Sequence, residues 1–384
     1  MSRLGEAVLV LSDLVGFPTV TSEPNLSLIE YLIDRFEPLG ADIRLTHDDT
    51  GSKANLFATI GPRIDGGVIL SGHSDVVPAD EEEWTGAPFI AMQRDQRIYG
   101  RGTVDMKGFI ACAVSMASEF AAAPLTKPIH IAVTYDEEVG CRGAPTLIAD
   151  LDALGIEPAA AIVGEPTGMR IVTAHKGMHE YTTTFNGLAG HASVPASGVN
   201  AVHFATRYVS RLLEIAETLS RNPPASSPFD PPHTTISVGT ISGGLARNVV
   251  ARDCVIEWEM RPVDQEDVDF VTERVQEMEA GLREEMREVA PAADITTITE
   301  GAVAGLHDAD SFAIRLLSDL VENPETLAVS FGTEAGLYQK AGIPAVVCGP
   351  GNIEVAHRPD EYIGLDQLAA CLAFMERLTS KLCR

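Results

Sequence analysis

The sequence has no CxxC pair; its six cysteines (Cys112, Cys141, Cys254, Cys348, Cys371, Cys383) are scattered along 384 residues. That spacing argues against a thiolate zinc site and against a secreted disulfide framework, and it points to a reducing cytoplasm. No stretch approaches the roughly 18 uninterrupted apolar residues of a membrane span. The opening segment, MSRLGEAVLVLSDLVGF, has Glu6 and Asp13 between its apolar positions. It reads as an amphipathic helix and not as a signal peptide. Basic residues are scarce, 28 Lys and Arg against 55 Asp and Glu, for a formal net charge of −27. Such a surface repels a phosphate backbone, so neither nucleic acid nor a membrane is an expected partner. Internal repeats and low-complexity tracts are also missing.

With 45% hydrophobic residues, the chain is long enough for two cores. Up to about residue 176, helical stretches alternate with short apolar runs at 67–70, 129–135 and 159–163, a pattern that predicts an α/β sheet flanked by helices. From 177 to 299 the order becomes strand 179–185, helix 200–219, strands 235–241 and 250–260, helix 268–289 and strand 295–299. This β-α-β-β-α-β order predicts an inserted ferredoxin-like α+β domain. The α/β rhythm resumes over 300–384, with a helix at 310–321, an apolar run at 345–348 and a final helix from 365. Residues 1–176 and 300–384 are thus expected to form one domain and 177–299 the other.

Each apolar run of the first domain ends in a polar cluster, and sites in open α/β sheets form beyond the carboxyl ends of strands. His73 and Asp75 lie two apart after the first run, so one could bind a metal while the other orients it; a loop histidine beside a turn aspartate is the ordinary alternative. Asp105, in a glycine-rich stretch before an apolar helix, suits either a helix N-cap or a carboxylate bridging two cations. Asp136-Glu137-Glu138 comes directly at the end of an apolar run, an expensive place for three acids unless cations or solvent compensate them. One glutamate there can bind metal while its neighbour moves protons. Glu165 repeats the design after the third run, and His357 follows the run at 345–348. Histidines and carboxylates without thiolates make a nitrogen and oxygen environment suited to zinc, cobalt or manganese.

SGHSDVVP, YGRGTVDMKG, TYDEEVG, VGEPT, GHAS and AHRPDEY occur in one order along the chain. In this the sequence resembles the dinuclear zinc amidohydrolases, a family that includes acetylornithine deacetylase, succinyl-diaminopimelate desuccinylase, aminoacylase and glutamate-releasing carboxypeptidase. The resemblance covers essentially the whole chain. It implies two divalent ions, most readily Zn2+ with Co2+ as an alternative. His73, Asp105 and Glu165 would hold one, and Asp105, Glu138 and His357 the other, with Asp105 as the bridge. Asp75 would orient His73, and Glu137 would be the general base. The inserted domain would be a lid that also forms a homodimer, with His191 reaching across the interface to the oxyanion. Arg261 and Asn248 match lid positions that contact substrate, Arg261 as an anchor for an α-carboxylate; a surface salt bridge is its plainer reading.

Within the family, GRGTVDMKGF, FGTEAG and the stretch from Gly349 to Tyr362 resemble the acetylornithine deacetylases most. That implies hydrolysis of N2-acetyl-L-ornithine to L-ornithine and acetate, a step of arginine synthesis; Glu334 is a candidate for reading the substrate's cationic side chain, since a carboxylate in a pocket favours an ammonium. A related N-acyl amino acid hydrolase or dipeptidase is the alternative, and a non-catalytic binding protein of the same fold a further one. Around Trp84 the sequence reads Trp-Thr-Gly-Ala-Pro-Phe, lacking the aspartate that the family usually carries there.

Overall fold

The computed structural model describes residues 2–307 and 311–383 and divides into two compact units. The first comprises Met1–Ala174, Leu306–Ala328 and Thr333–Arg384; the second comprises His175–Gly305 and Val329–Gly332.

The first unit opens with helices α1 (Arg3–Val15) and α2 (Leu26–Phe36), then strands β1 (Asp42–His47), β2 (Ala54–Ile60) and β3 (Val68–His73). The short strands β4 (Met92–Arg94) and β5 (Arg97–Tyr99) precede helix α3 (Gly108–Ala122) and strand β6 (Ile129–Thr134). Helix α4 (Gly143–Ala153), β7 (Ala160–Pro166) and β8 (Ile171–His175) complete this stretch of chain. The amphipathic start is α1, whose buried positions Ala7, Val10, Leu11, Leu14 and Val15 follow the helical period, with the Ser2 hydroxyl capping its N-terminus.

The second unit has the expected order: β9 (Met178–Asn186), α5 (Ala201–Arg221), β10 (Thr235–Gly243), β11 (Asp253–Arg261), α6 (Gln265–Val289) and β12 (Asp294–Val303). Its antiparallel sheet runs β10-β11-β9-β12. The core beneath it joins Tyr208 and Leu212 of α5 and Leu282 and Met286 of α6 to Phe185, Ile256, Trp258 and Ile295 of the sheet. Each fully buried side chain of this size contributes about 1.5–3 kcal/mol.

The chain then returns to the first unit through β13 (Leu306–His307), α7 (Phe312–Ser318), β14 (Thr326–Val329), α8 (Ala335–Lys340), β15 (Ala345–Gly349), β16 (Tyr362–Gly364) and α9 (Leu365–Leu382). Helix α7 is shorter than the expected 310–321, and residue 310 lies outside the described residues. The main sheet has the order β1-β2-β6-β3-β7-β15-β8-β13, with β14 on β8. Its centre, β6-β3-β7-β15, is parallel, while β1, β2 and β8 join antiparallel. Helices α1, α3 and α9 pack on one another, α4 packs against α8, and both groups flank the sheet. The four central strands therefore point their carboxyl ends the same way. Helix α3 approaches so closely that a Cβ on Gly164 of β7 would come within 2.0 Å of the Phe109 ring.

Candidate active site

The shared polarity of the central strands assembles the site. His73 is the last residue of β3, Glu165 lies at the end of β7, Asp136 to Glu138 follow β6, and His357 is in the loop after β15. Asp105 comes from a wide helical turn, Thr103–Lys107, before α3. It does not cap that helix, whose N-cap is Lys107 without a side-chain bond. Its carboxylate turns to the two imidazoles instead, with Oδ1 3.1 Å from His73 Nε2 and Oδ2 3.1 Å from His357 Nε2. A carboxylate divided in this way has the layout of a bridge. Glu138 Oε2 lies 3.1 Å from His357 Nε2, and Glu165 Oε1 lies 3.6 Å from His73 Nε2. Ligand atoms of His73, Glu137 and Glu165, and likewise those of His73, Asp105 and Glu138, fall within 4.8 Å of one another.

The local backbone is held in an uncommon conformation. Asp136, Cys141 and His357 all have positive φ, of 56°, 53° and 60°. Non-glycine residues accept such a φ only where the surroundings over-determine it, and they cluster at functional sites.

Asp75 departs from expectation. His73 Nδ1 donates to the main-chain carbonyl of Asp75 at 2.9 Å and lies 3.7 Å from its carboxylate. That carboxylate accepts the N–H groups of Glu137 at 3.1 Å and Glu138 at 3.2 Å, and the Thr21 hydroxyl at 3.1 Å. The backbone of Asp75 thus fixes the imidazole with Nε2 facing the site, and its side chain fixes the turn of the two glutamates.

Electrostatics describe a pocket with too much negative charge. Burial, then the charges of Glu138, Glu334 and Asp105, push Glu137 well above the usual carboxylate range against the pull of His73. Burial and Asp105 do the same to Glu165, and burial and Asp105 raise Glu138. Hydrogen bonds to Asp105 and Glu138 raise His357 to about 10. For His73, burial is overcome by the Asp105 hydrogen bond and the surrounding acids, so its affinity for a proton also rises. The Cys141 thiol donates to Glu137 Oε1 at 3.4 Å, and burial and that acid's charge keep it protonated. Four acids and two imidazoles, with no thiolate, fit a pair of borderline divalent cations such as zinc, whose charge offsets the crowding.

Glu334 lies 1% exposed behind this cluster. Its carboxylate accepts the hydroxyls of Thr134 of β6 at 2.6 Å and Ser71 of β3 at 3.3 Å. Glu361, which carries no expected role, is also 1% exposed and accepts main-chain N–H groups of the Asp105 segment. Its place in AHRPDEY was the signal available.

His191, Asn248 and Arg261 belong to the second unit. The first two come together: His191 pairs with Val249 in a β-bridge, and Ala192 N–H donates to the Asn248 carbonyl at 3.1 Å. His191 Nδ1 accepts the Ser193 N–H at 3.1 Å and faces its hydroxyl at 2.7 Å. The ring proton is thereby placed on Nε2, on an exposed side chain. Arg261 makes the plainer contact, an ion pair with Glu259 at 2.8 Å on the same strand.

Residues 69–381 match the peptidase family M20/M25/M40. The chain belongs to that family. Among M20 relatives, an acetylornithine deacetylase from Myxococcus xanthus is 38% identical over 97% of this chain and 96% of its own length. An acetylornithine deacetylase from Pasteurella multocida is 30% identical over the whole of both chains. Solved structures share the fold: an M20 metallo-carboxypeptidase from Sulfolobus solfataricus superposes with TM-score 0.77 at 17% identity, covering 98% of this chain and 99% of the other. A Staphylococcus aureus tripeptidase gives TM-score 0.75 at 19% identity, covering 99% of each chain.

Proposed function

We propose that this chain hydrolyses N2-acetyl-L-ornithine to L-ornithine and acetate, using two divalent ions, most readily zinc and alternatively cobalt. The full-length identity to acetylornithine deacetylases carries the substrate assignment. His73, Asp105 and Glu165 would hold one ion, and Asp105, Glu138 and His357 the other. When bound, such a pair polarises the acyl carbonyl and makes water acidic enough to attack near neutral pH.

Glu137 takes the proton of the attacking water and passes it to the departing amine. Its burial among acids supports this role, because it raises the affinity for a proton that a base must have. His191 donates its Nε2 proton to the developing oxyanion, acting from the partner of a homodimer formed through the second unit. Asn248 joins it there, and Arg261, released from Glu259, grips the α-carboxylate of the substrate. Glu334 supports the strand ends in this scheme and does not contact the substrate. The cytoplasm, where arginine is made, is the proposed location.

A substrate panel tests the assignment. Zinc-loaded protein should prefer N2-acetyl-L-ornithine over N-acetylmethionine, N-succinyl-diaminopimelate and dipeptides by at least an order of magnitude in kcat/KM. Equal or greater turnover of another panel member would replace the proposed substrate with that one.

A further inference from the structure

A carboxylate that no step of the proposed reaction uses is hydrogen-bonded more fully than any ligand. Glu361 Oε1 accepts the N–H groups of Val104 at 2.9 Å and Asp105 at 3.3 Å, and Oε2 accepts Gly102 N–H at 3.1 Å and Arg101 Nη1 at 2.7 Å. Four donors from the stretch 101–105 thus converge on one side chain, and both Glu361 and Arg101 are almost wholly buried. Arg101 is held in turn by the Pro78 carbonyl at 3.4 Å and by the Trp84 ring 5.2 Å away. The main chain of Glu361 is tied to the same segment, accepting Gly100 N–H at 3.0 Å, and the adjoining β16 pairs with β5. Four residues upstream is His357, with its positive φ.

A buried ion pair alone would account for Arg101 and Glu361, but not for the other three donors. Those are main-chain groups of the turn that aims Asp105, and one of them is the N–H of Asp105 itself. Their directions fix the peptide planes on which the bridging carboxylate hangs. The same residue belongs to the segment that follows His357, so its side chain and its backbone together tie that loop to the turn carrying Asp105.

We propose that Glu361 is a positioning residue for the metal pair, setting the separation of Asp105 from His357 by clamping the 101–105 turn. This rests on reading Asp105 and His357 as metal ligands. In Glu361→Gln the amide offers one acceptor oxygen and turns N–H donors toward N–H donors, so at least one pair of these bonds is lost.

The test compares wild type and Glu361→Gln by zinc stoichiometry, by chelator-competition Kd, by the visible spectrum of the cobalt-loaded protein, and by thermal midpoint with and without chelator. Zinc affinity at one or both positions should fall about 10- to 100-fold, the usual effect of losing a residue that orients ligands, and the cobalt spectrum should change. Glu361→Asp keeps the charge with a shorter reach and should fall between the two, which covers the case of a glutamine variant that does not fold. Variants with a lowered chelator-treated midpoint but wild-type Kd and cobalt spectrum would mean a purely structural ion pair and overturn the proposal. If wild-type protein takes up no metal, the site reading falls and this proposal with it; if wild type binds two ions and both variants match it, the proposal alone falls.

Discussion

The carboxylate of Asp75 receives the main-chain N–H of Glu137 at 3.1 Å, while the same residue's carbonyl receives the imidazole of His73 at 2.9 Å. One residue therefore holds a proposed metal ligand with its backbone and the proposed base with its side chain. Asp75→Asn tests the division. The carbonyl is untouched, so both metals should remain, but the amide can accept only one of the N–H groups of Glu137 and Glu138. We expect kcat to fall about 10- to 100-fold with metal content at the wild-type level. Loss of an ion in this variant would show that the side chain acts through His73 instead, and kinetics paired with metal analysis distinguishes the two.

Glu137 is close enough to His73 and Glu165 to share a cation with them, so base and ligand are rival roles for it. Glu137→Gln keeps the shape and removes the basic oxygen. As a base, Glu137 should be worth about 10²- to 10⁴-fold in kcat, with zinc stoichiometry unchanged. A variant that loses zinc along with activity would make Glu137 a ligand.

What was legible in the sequence follows from what burial costs. Acids placed directly after β6 and at the end of β7 stand out because an apolar run does not tolerate them without compensation, and the β-α-β-β-α-β order of β9 to β12 is readable from the change of period. Hydrogen bonds to main-chain amides leave no such trace. Nothing in the spacing says that Asp75 reaches amides 62 and 63 residues further along, or that Glu361 reaches back to Gly102. Strands β4, β5 and β16 are three residues each, too short to show a period, yet they align the Glu361 loop. Nothing in FGTEAG itself tells that Glu334 lies against β3 and β6. The polar Ser71 and Thr134 within apolar strands were the available hint of its buried partners.

Metal binding should be strongly linked to pH. His357, raised to about 10, holds a proton at neutral pH in the metal-free protein, and His73, Glu137 and Glu165 are shifted the same way. A cation must displace those protons, so affinity should rise with pH across the neutral range and fall on acidification. Titration calorimetry in two buffers of different ionisation enthalpy should show release on the order of one proton per zinc ion. Identical heats in both buffers would contradict the crowded-acid picture.

Glu334 gives the cleanest stability test because it binds no ion in this scheme. Burial raises its pKa from 4.5 to about 7, against the hydroxyls of Thr134 and Ser71 and the charge of His73. The folded protein therefore binds more protons than the unfolded chain between those two values, and its stability falls as pH rises through that window. The shift caps the penalty at about 3 kcal/mol above pH 7. Glu334→Gln cannot ionise, so its loss of hydrogen bonding is the same at every pH while the penalty disappears. Relative to wild type, the chelator-treated variant should gain stability between pH 5 and pH 8, read by urea denaturation at both. Its preference for acetylornithine over acetylmethionine should also stay unchanged, because the carboxylate faces the strand ends. Parallel stability slopes in the two proteins would mean that Glu334 is already ionised at pH 5, and a lost preference would return it to the substrate.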